Sequence, residues 1–168
     1  MSDFPAPGEA VGLIQKHAQE FEDLVQQFPE NVATQRGVVG GDWSVSDLVG
    51  HIETWEEAAL RTIERWPKDP GNPQWQAIDE FNAQNVEAKR ARSWQENWSS
   101  YQDTHKRLID AVASIPEGEW NSVMEGAEDP RTLGQRVGGN LAAPKMPFGH
   151  VTAHLDDLRA AVAGLRDS

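Results

Sequence analysis

Residues 42–67 read DWSVSDLVGHIETWEEAALRTIERWP, and this stretch decides the fold. Val45, Leu48, Val49, Ile52, Trp55, Ala59, Ile63 and Trp66 recur at three- and four-residue steps, the spacing that lines one face of an α-helix. Ser44 with Asp47 three residues on is an N-cap pair, because a short oxygen-bearing side chain satisfies the free amides of a first turn. Pro67 ends the pattern. At ~100° per residue His51 falls about 40° from Trp55 and about 60° from Leu48, at the edge of the stripe, where a ring points between helices.

The same reading extends outward in both directions. Ala10, Leu13, Ile14, His17, Phe21, Leu24, Val25 and Phe28 predict a helix from Pro7 to Phe28, closed by Pro29. Gly37, Gly40 and Gly41 mark a turn-rich segment before Trp43. Past the proline-rich loop PKDPGNP (67–73), a third helical stretch has Trp75, Ile78, Phe81, Asn82, Asn85 and Val86 on its inner side. Ser93 with Glu96 repeats the capping pattern, so the element restarts or kinks there. Trp94, Trp98, Tyr101, His105, Leu108, Val112 and Ile115 then alternate steps of four and three until Pro116, which predicts a long helix.

Residues 117–146 are rich in glycine and read as a loop of about 30 residues, a length typical of lids and binding elements. A last helix is expected from near Pro147, with Phe148, Val151, Leu155, Leu158, Val162 and Leu165 as its stripe. No strand-like alternation appears. The expectation is an all-α single domain over residues 1–168, four helices with a long connection between the third and fourth.

Composition narrows the function classes. Fifteen basic against 27 acidic residues give a formal charge of −12. A chain this acidic repels phosphate backbones and anionic lipid, so nucleic acid and membrane are not expected as partners. No cysteine is present, which removes disulfides, thiolate ligands and Cys nucleophiles. The N-terminus has no basic region followed by an apolar one, and no 18-residue apolar run occurs; the expected compartment is the cytoplasm.

His150 and His154 are four residues apart, one helical turn. With His51 from another helix they form a three-nitrogen set of the kind that binds a divalent metal and leaves a coordination position open. Boundary histidines bonded to backbone carbonyls are the competing account, and spacing alone leaves both open. Neutral imidazole suits Zn, Ni or Fe, and Asp47 or Asp157 could accept the second ring N–H. His105 and His17 read as core histidines, and Asn82 and Asn85 as inward-facing amides that line a polar cavity or bond backbone. Of the seven tryptophans, Trp43 and Trp120 are the candidates for a cavity mouth. Glu53, Glu56 and Glu57 read as a solvated face. No nucleotide loop, nucleophile elbow or HExxH motif occurs, which leaves metal-activated water as the simplest chemistry.

WSVSDLVGHIETWEE (43–57), IDEFNAQNVEAKR (78–90), SWQENWSSYQDTHKRLIDAV (93–112) and RVGGN followed by GHVTAHLDDL together resemble the DinB-like superfamily, and within it the ClbS/DfsB branch. The first segment is similar to that branch's Trp-Ser-x-x-Asp-Leu-x-x-His-x-x-x-Trp-Glu signature. The insertion LAAPKMPF and Phe148 in place of a tyrosine depart from the branch pattern. The resemblance implies a four-helix bundle whose cavity holds Zn or Ni through His51, His150 and His154. In the wider superfamily it implies thiol-dependent transferases and isomerases, so a low-molecular-weight thiol is an expected co-substrate. In the ClbS/DfsB branch it implies opening or hydrolysis of electrophilic natural products for self-protection.

The combined expectation is a hydrolase or transferase acting on a small electrophile, with the three histidines as ligands and catalytic groups. Trp43, Trp55, Asn82 and Asn140 are expected to face substrate. A metal-free sequestration protein with the same cavity is the alternative, and a helical interaction protein a third. Pairing through an outer helix to give a homodimer stays open.

Overall fold

A computed structural model describes residues 4–68, 77–143 and 146–168. The predicted contributions of Trp75 and of most of the 67–73 loop lie outside the described residues. Helix α1 spans Pro7–Val25, α2 Glu30–Ala33, α3 Val45–Arg65, α4 Ile78–Lys89, α5 Trp94–Ala113, α6 Glu117–Trp120, α7 Leu133–Asn140 and α8 Leu155–Arg166. A 3-10 turn, His150–His154, leads directly into α8. Among the described residues there are only two isolated β-bridges, Val123 with Thr132 and Ala143 with Met146. Among the described residues no helix is long and apolar enough to cross a membrane.

The four long helices α1, α3, α5 and α8 form the bundle, and α4 and α7 pack against α3. Reciprocal capping boxes begin α3 and α5: Asp47 N donates to Ser44 Oγ at 3.0 Å, and Glu96 N to Ser93 Oγ at 3.1 Å. The restart at Ser93 is a true break, with α4 and α5 as separate helices.

The glycine-rich segment is less irregular than expected. Thr132 and Gln135 form a third reciprocal capping box, which starts α7. Gly134 lets this helix approach the indole of Trp120, since a Cβ there would lie 2.5 Å from Trp120 Nε1. Trp120 therefore sits in the core at 1% exposure, its N–H donated to Pro5 O at 2.9 Å, and not at a cavity mouth.

The largest departure concerns the acidic face of α3. Glu53 is 0% and Glu56 4% exposed. A one-sided amphipathic helix would leave them in water, but α3 is flanked by α4, α5 and α7 and is buried on nearly all sides. Each carboxylate is met by partners from those neighbours, as burial of charge demands. Lys89 Nζ donates to Glu53 Oε2 at 2.9 Å and to Gly50 O at 3.2 Å. Arg92, Ser100 and Thr104 also donate to Glu53. His105 Nδ1 lies 2.8 Å from Glu56 Oε1.

Candidate functional site

His51 is carried in the N-terminal third of α3, and His150 and His154 at the two ends of the 3-10 turn before α8. That turn is tighter than the α-helix expected there. With three residues per turn, positions four apart do not stack on one face, so the two rings open around His51. The result is a near-equilateral set: ring centroids are 5.0 Å (His51–His150), 5.2 Å (His51–His154) and 5.3 Å (His150–His154) apart, with planes inclined at 71°, 82° and 77°. One ring nitrogen from each falls within 4.8 Å of the other two.

The turn is reached through Phe148, whose φ of 60° is unusual for a residue with a side chain. Its ring is held between Phe4 and Trp120, at centroid distances of 5.6 and 6.1 Å. Core packing thus supports a strained backbone position two residues before His150.

The environment keeps the trio uncharged. Burial lowers the His51 pKa to about 3, with repulsion from His154 and Lys89 adding to it. Burial, then His51 and His154, hold His150 well below its ordinary value. His154 is also lowered by burial, against the pull of Asp157. Neutral imidazoles have free lone pairs, the form in which histidine binds metal.

The donor geometry fits a metal. His51 Nε2 and His150 Nε2 are 3.2 Å apart, and nitrogens bound tetrahedrally to zinc at ~2.0–2.1 Å stand about 3.3 Å from one another. The outer partners differ from expectation. Asp47 is committed to the α3 cap and to Arg90 at 3.1 Å, and does not reach His51. The Nδ1 atoms of His51 and His150 are buried without a protein partner.

A cavity of about 190 Å³ opens beside the trio, lined by His51, His150, Trp55, Asn82 and Asn140, with Ile78 and Gly139 at its wall. Trp55 Nε1 donates to Asn82 Oδ1 at 3.0 Å, and Asn140 Nδ2 to Thr62 Oγ1 at 3.0 Å, so both amides are oriented. Trp43 and His154 border His51 without lining this cavity; the Trp43 ring is 4.9 Å from His51. Asn85 bonds Phe81 O within its own helix and takes no part. His105 is not a lone core histidine: it is paired with Glu56 and stacked on Tyr101 at 5.5 Å. Glu56 is the group near the site that residue patterning missed. Its only signal was the Trp-Glu ending of the signature segment.

The family model of the DinB superfamily matches residues 13–155. No functionally curated protein is significantly similar in sequence. Solved structures share the fold at low identity. One is the colibactin self-resistance protein ClbS in complex with double-stranded DNA, with 13% identity, a TM-score of 0.73 and coverage of 95% of this chain and 98% of that one. An uncharacterised Escherichia coli UTI89 protein gives 12% identity, a TM-score of 0.78 and coverage of 97% and 96%. A Streptococcus pneumoniae protein gives 12%, 0.73, 95% and 92%.

The ClbS complex corrects one expectation. Exclusion of nucleic acid on the ground of net acidity does not stand for a fold on which a DNA complex has been solved. The physical reason is that net charge is a whole-surface sum and does not set the potential of one face. In this chain of formal charge −12, Arg36, Arg90 and Arg92 share one groove of about 200 Å³ with Asp47, and each is ion-paired, with Asp42, with Asp47 and Glu87, and with Glu53 respectively. The expectation that nucleic acid is not a partner, which rested on that sum, is therefore set aside. With its family model matched over residues 13–155, the chain belongs to the DinB superfamily.

Proposed function

We propose that the chain is a metal-supported hydrolase or transferase for a small electrophile, with His51, His150 and His154 as the ligands. The observation that carries this reading is the convergence of three imidazoles, one buried and two half-buried, within 4.8 Å of one another, beside a cavity that His51 and His150 line. A divalent ion held there supplies Lewis acidity, polarising a leaving group or acidifying a water molecule. The remaining chemistry belongs to the chain. Asn82, which accepts from Trp55, and Asn140, which donates to Thr62, are oriented amides beside the cavity that can position a polar substrate. Trp55 and Ile78 give that substrate an apolar wall, and Trp43 covers His51. Among the described residues no charged side chain lines the cavity, which suits a neutral electrophile and admits a low-molecular-weight thiol as second substrate.

Protein purified without an affinity tag, assayed with epoxide and strained-ring electrophiles with and without a thiol, tests the reading. Turnover that is lost on chelation and restored by Zn²⁺ or Ni²⁺ supports it. Stoichiometric binding without turnover would leave sequestration as the function.

A second reading follows from the groove of Arg36, Arg90 and Arg92 and the DNA-bound ClbS structure. Here the ligand is duplex DNA, and the arginines exchange their carboxylate partners Asp42, Asp47 and Glu53 for its phosphates. Anisotropy of a labelled duplex at two salt concentrations tests it, since phosphate contacts weaken steeply with salt.

A further inference from the structure

Behind the histidine site two buried polar atoms have no partner in the protein: Nδ1 of His150 and Oε2 of Glu56. Both residues line the same narrow cavity of about 20 Å³, whose other walls, Ile14, Ala18, Ile52 and Phe148 among them, are apolar. A water needs roughly 10–15 Å³ and at least two polar partners. This cavity offers the room, and its two polar residues offer the partners.

We propose that one water in this cavity bridges His150 Nδ1 to Glu56 Oε2, which makes Glu56 a positioning residue for the His150 imidazole. The hydrogen on His150 Nδ1 is donated to the water, and the water donates to Glu56 Oε2. The Nε2 lone pair of His150 is then directed at the site. His51 Nε2 carries the hydrogen that spans the 3.2 Å gap between the two rings in metal-free protein. Glu56 is itself held, since His105 Nδ1 lies 2.8 Å from its other oxygen. His105 in turn stacks on Tyr101, whose hydroxyl donates to Glu22 Oε1 at 3.1 Å. A chain of side chains from α3, α5 and α1 thus fixes one ring on the 3-10 turn.

The inference rests on the reading of His150 Nε2 as a ligand atom. Ligating histidines depend on a group that accepts the other ring N–H, and loss of such a group costs about 10–100-fold in metal affinity. Glu56 fills that role through water, where neither Asp47 nor Asp157 does for this ring.

The test is long-range ¹H–¹⁵N NMR of the imidazoles in metal-free protein, followed by Co²⁺ titration read by absorption. Wild type is expected to show His150 as the Nδ1–H tautomer. Glu56→Leu removes the acceptor, and Ala18→Val fills the cavity while leaving Glu56 and His150 intact. Both are expected to move His150 toward Nε2–H and to weaken Co²⁺ binding about tenfold or more. Glu56→Gln, which keeps an acceptor oxygen, is expected to restore the wild-type tautomer. Ala18→Val decides alone if Glu56→Leu does not fold. A His150 ring that is Nε2–H in wild type, or that stays Nδ1–H in Ala18→Val, overturns the inference. A tautomer that responds as expected in a protein that takes up no Co²⁺ would instead retire the metal reading and leave the bridge standing.

Discussion

His51 Nε2 faces His150 Nε2 across 3.2 Å, one on the buried central helix and the other on the 3-10 turn that precedes α8. Two neutral rings in this arrangement share one hydrogen at most, and one metal ion satisfies both. The fold brings them together by burying α3 on nearly all sides, and that burial carries testable costs.

Lys89 and Glu53 are the first. Their ion pair of 2.9 Å has side-chain exposures of 8% and 0%. Loss of Lys89 leaves the Glu53 carboxylate in the interior with the half-exposed Arg92 as its remaining cation, and breaking a buried pair costs about 3–5 kcal/mol. Lys89→Met is expected to lower unfolding stability by about 3 kcal/mol in urea titrations. A loss of a few tenths would mean that the pair is solvated.

Acid is expected to destabilise the metal-free protein. His51, held at about 3 in the fold, takes up a proton near pH 6.5 once unfolded. Between those values the unfolded chain binds more protons, so stability falls as pH drops from about 6.5 toward 3. His51→Phe is expected to flatten that slope in a series of melting curves. A slope unchanged by the substitution would place the responsible groups elsewhere.

His105 runs the other way. Burial lowers its pKa, but the hydrogen bond and charge of Glu56 together with the charge of Glu22 outweigh burial, and the net shift is upward. The fold therefore keeps a proton that the unfolded chain releases near 6.5, and this contribution fades as pH rises through the folded value. His105→Gln is expected to destabilise more at pH 6 than at pH 9. Equal losses at both would mean that His105 is neutral in the fold.

Gly134 holds α7 against Trp120. A methyl group at this position meets the indole, and overpacking of this kind costs about 1–3 kcal/mol. Gly134→Ala is expected to lower the melting temperature and to shift Trp emission to the red. Because α7 carries Asn140 to the cavity, ligand affinity is expected to fall with it.

Much of this architecture is legible in the sequence, for physical reasons that vary by element. The bundle helices announce themselves through apolar stripes and the Ser44 and Ser93 caps. Helix α7 was hidden because glycines at 134, 138 and 139 argue against helix, although the Thr132–Gln135 pair was a start signal. His51, His150 and His154 were readable as a set because a stripe edge is where rings reach inward. The opening of the His150–His154 pair was not, since a 3-10 turn and an α-turn share the same residues. Glu53 and Glu56 were misplaced because a helical wheel assumes one buried face, and α3 has neighbours on almost every side.

The central claim is that three imidazoles hold one divalent ion. Elemental analysis of untagged protein after incubation with Zn²⁺ or Ni²⁺ and desalting measures it directly. The account predicts one equivalent in wild type, and a ratio near zero in His51→Ala with the helical circular dichroism preserved. A wild-type ratio well below one after loading, or a full equivalent retained by His51→Ala, would contradict it.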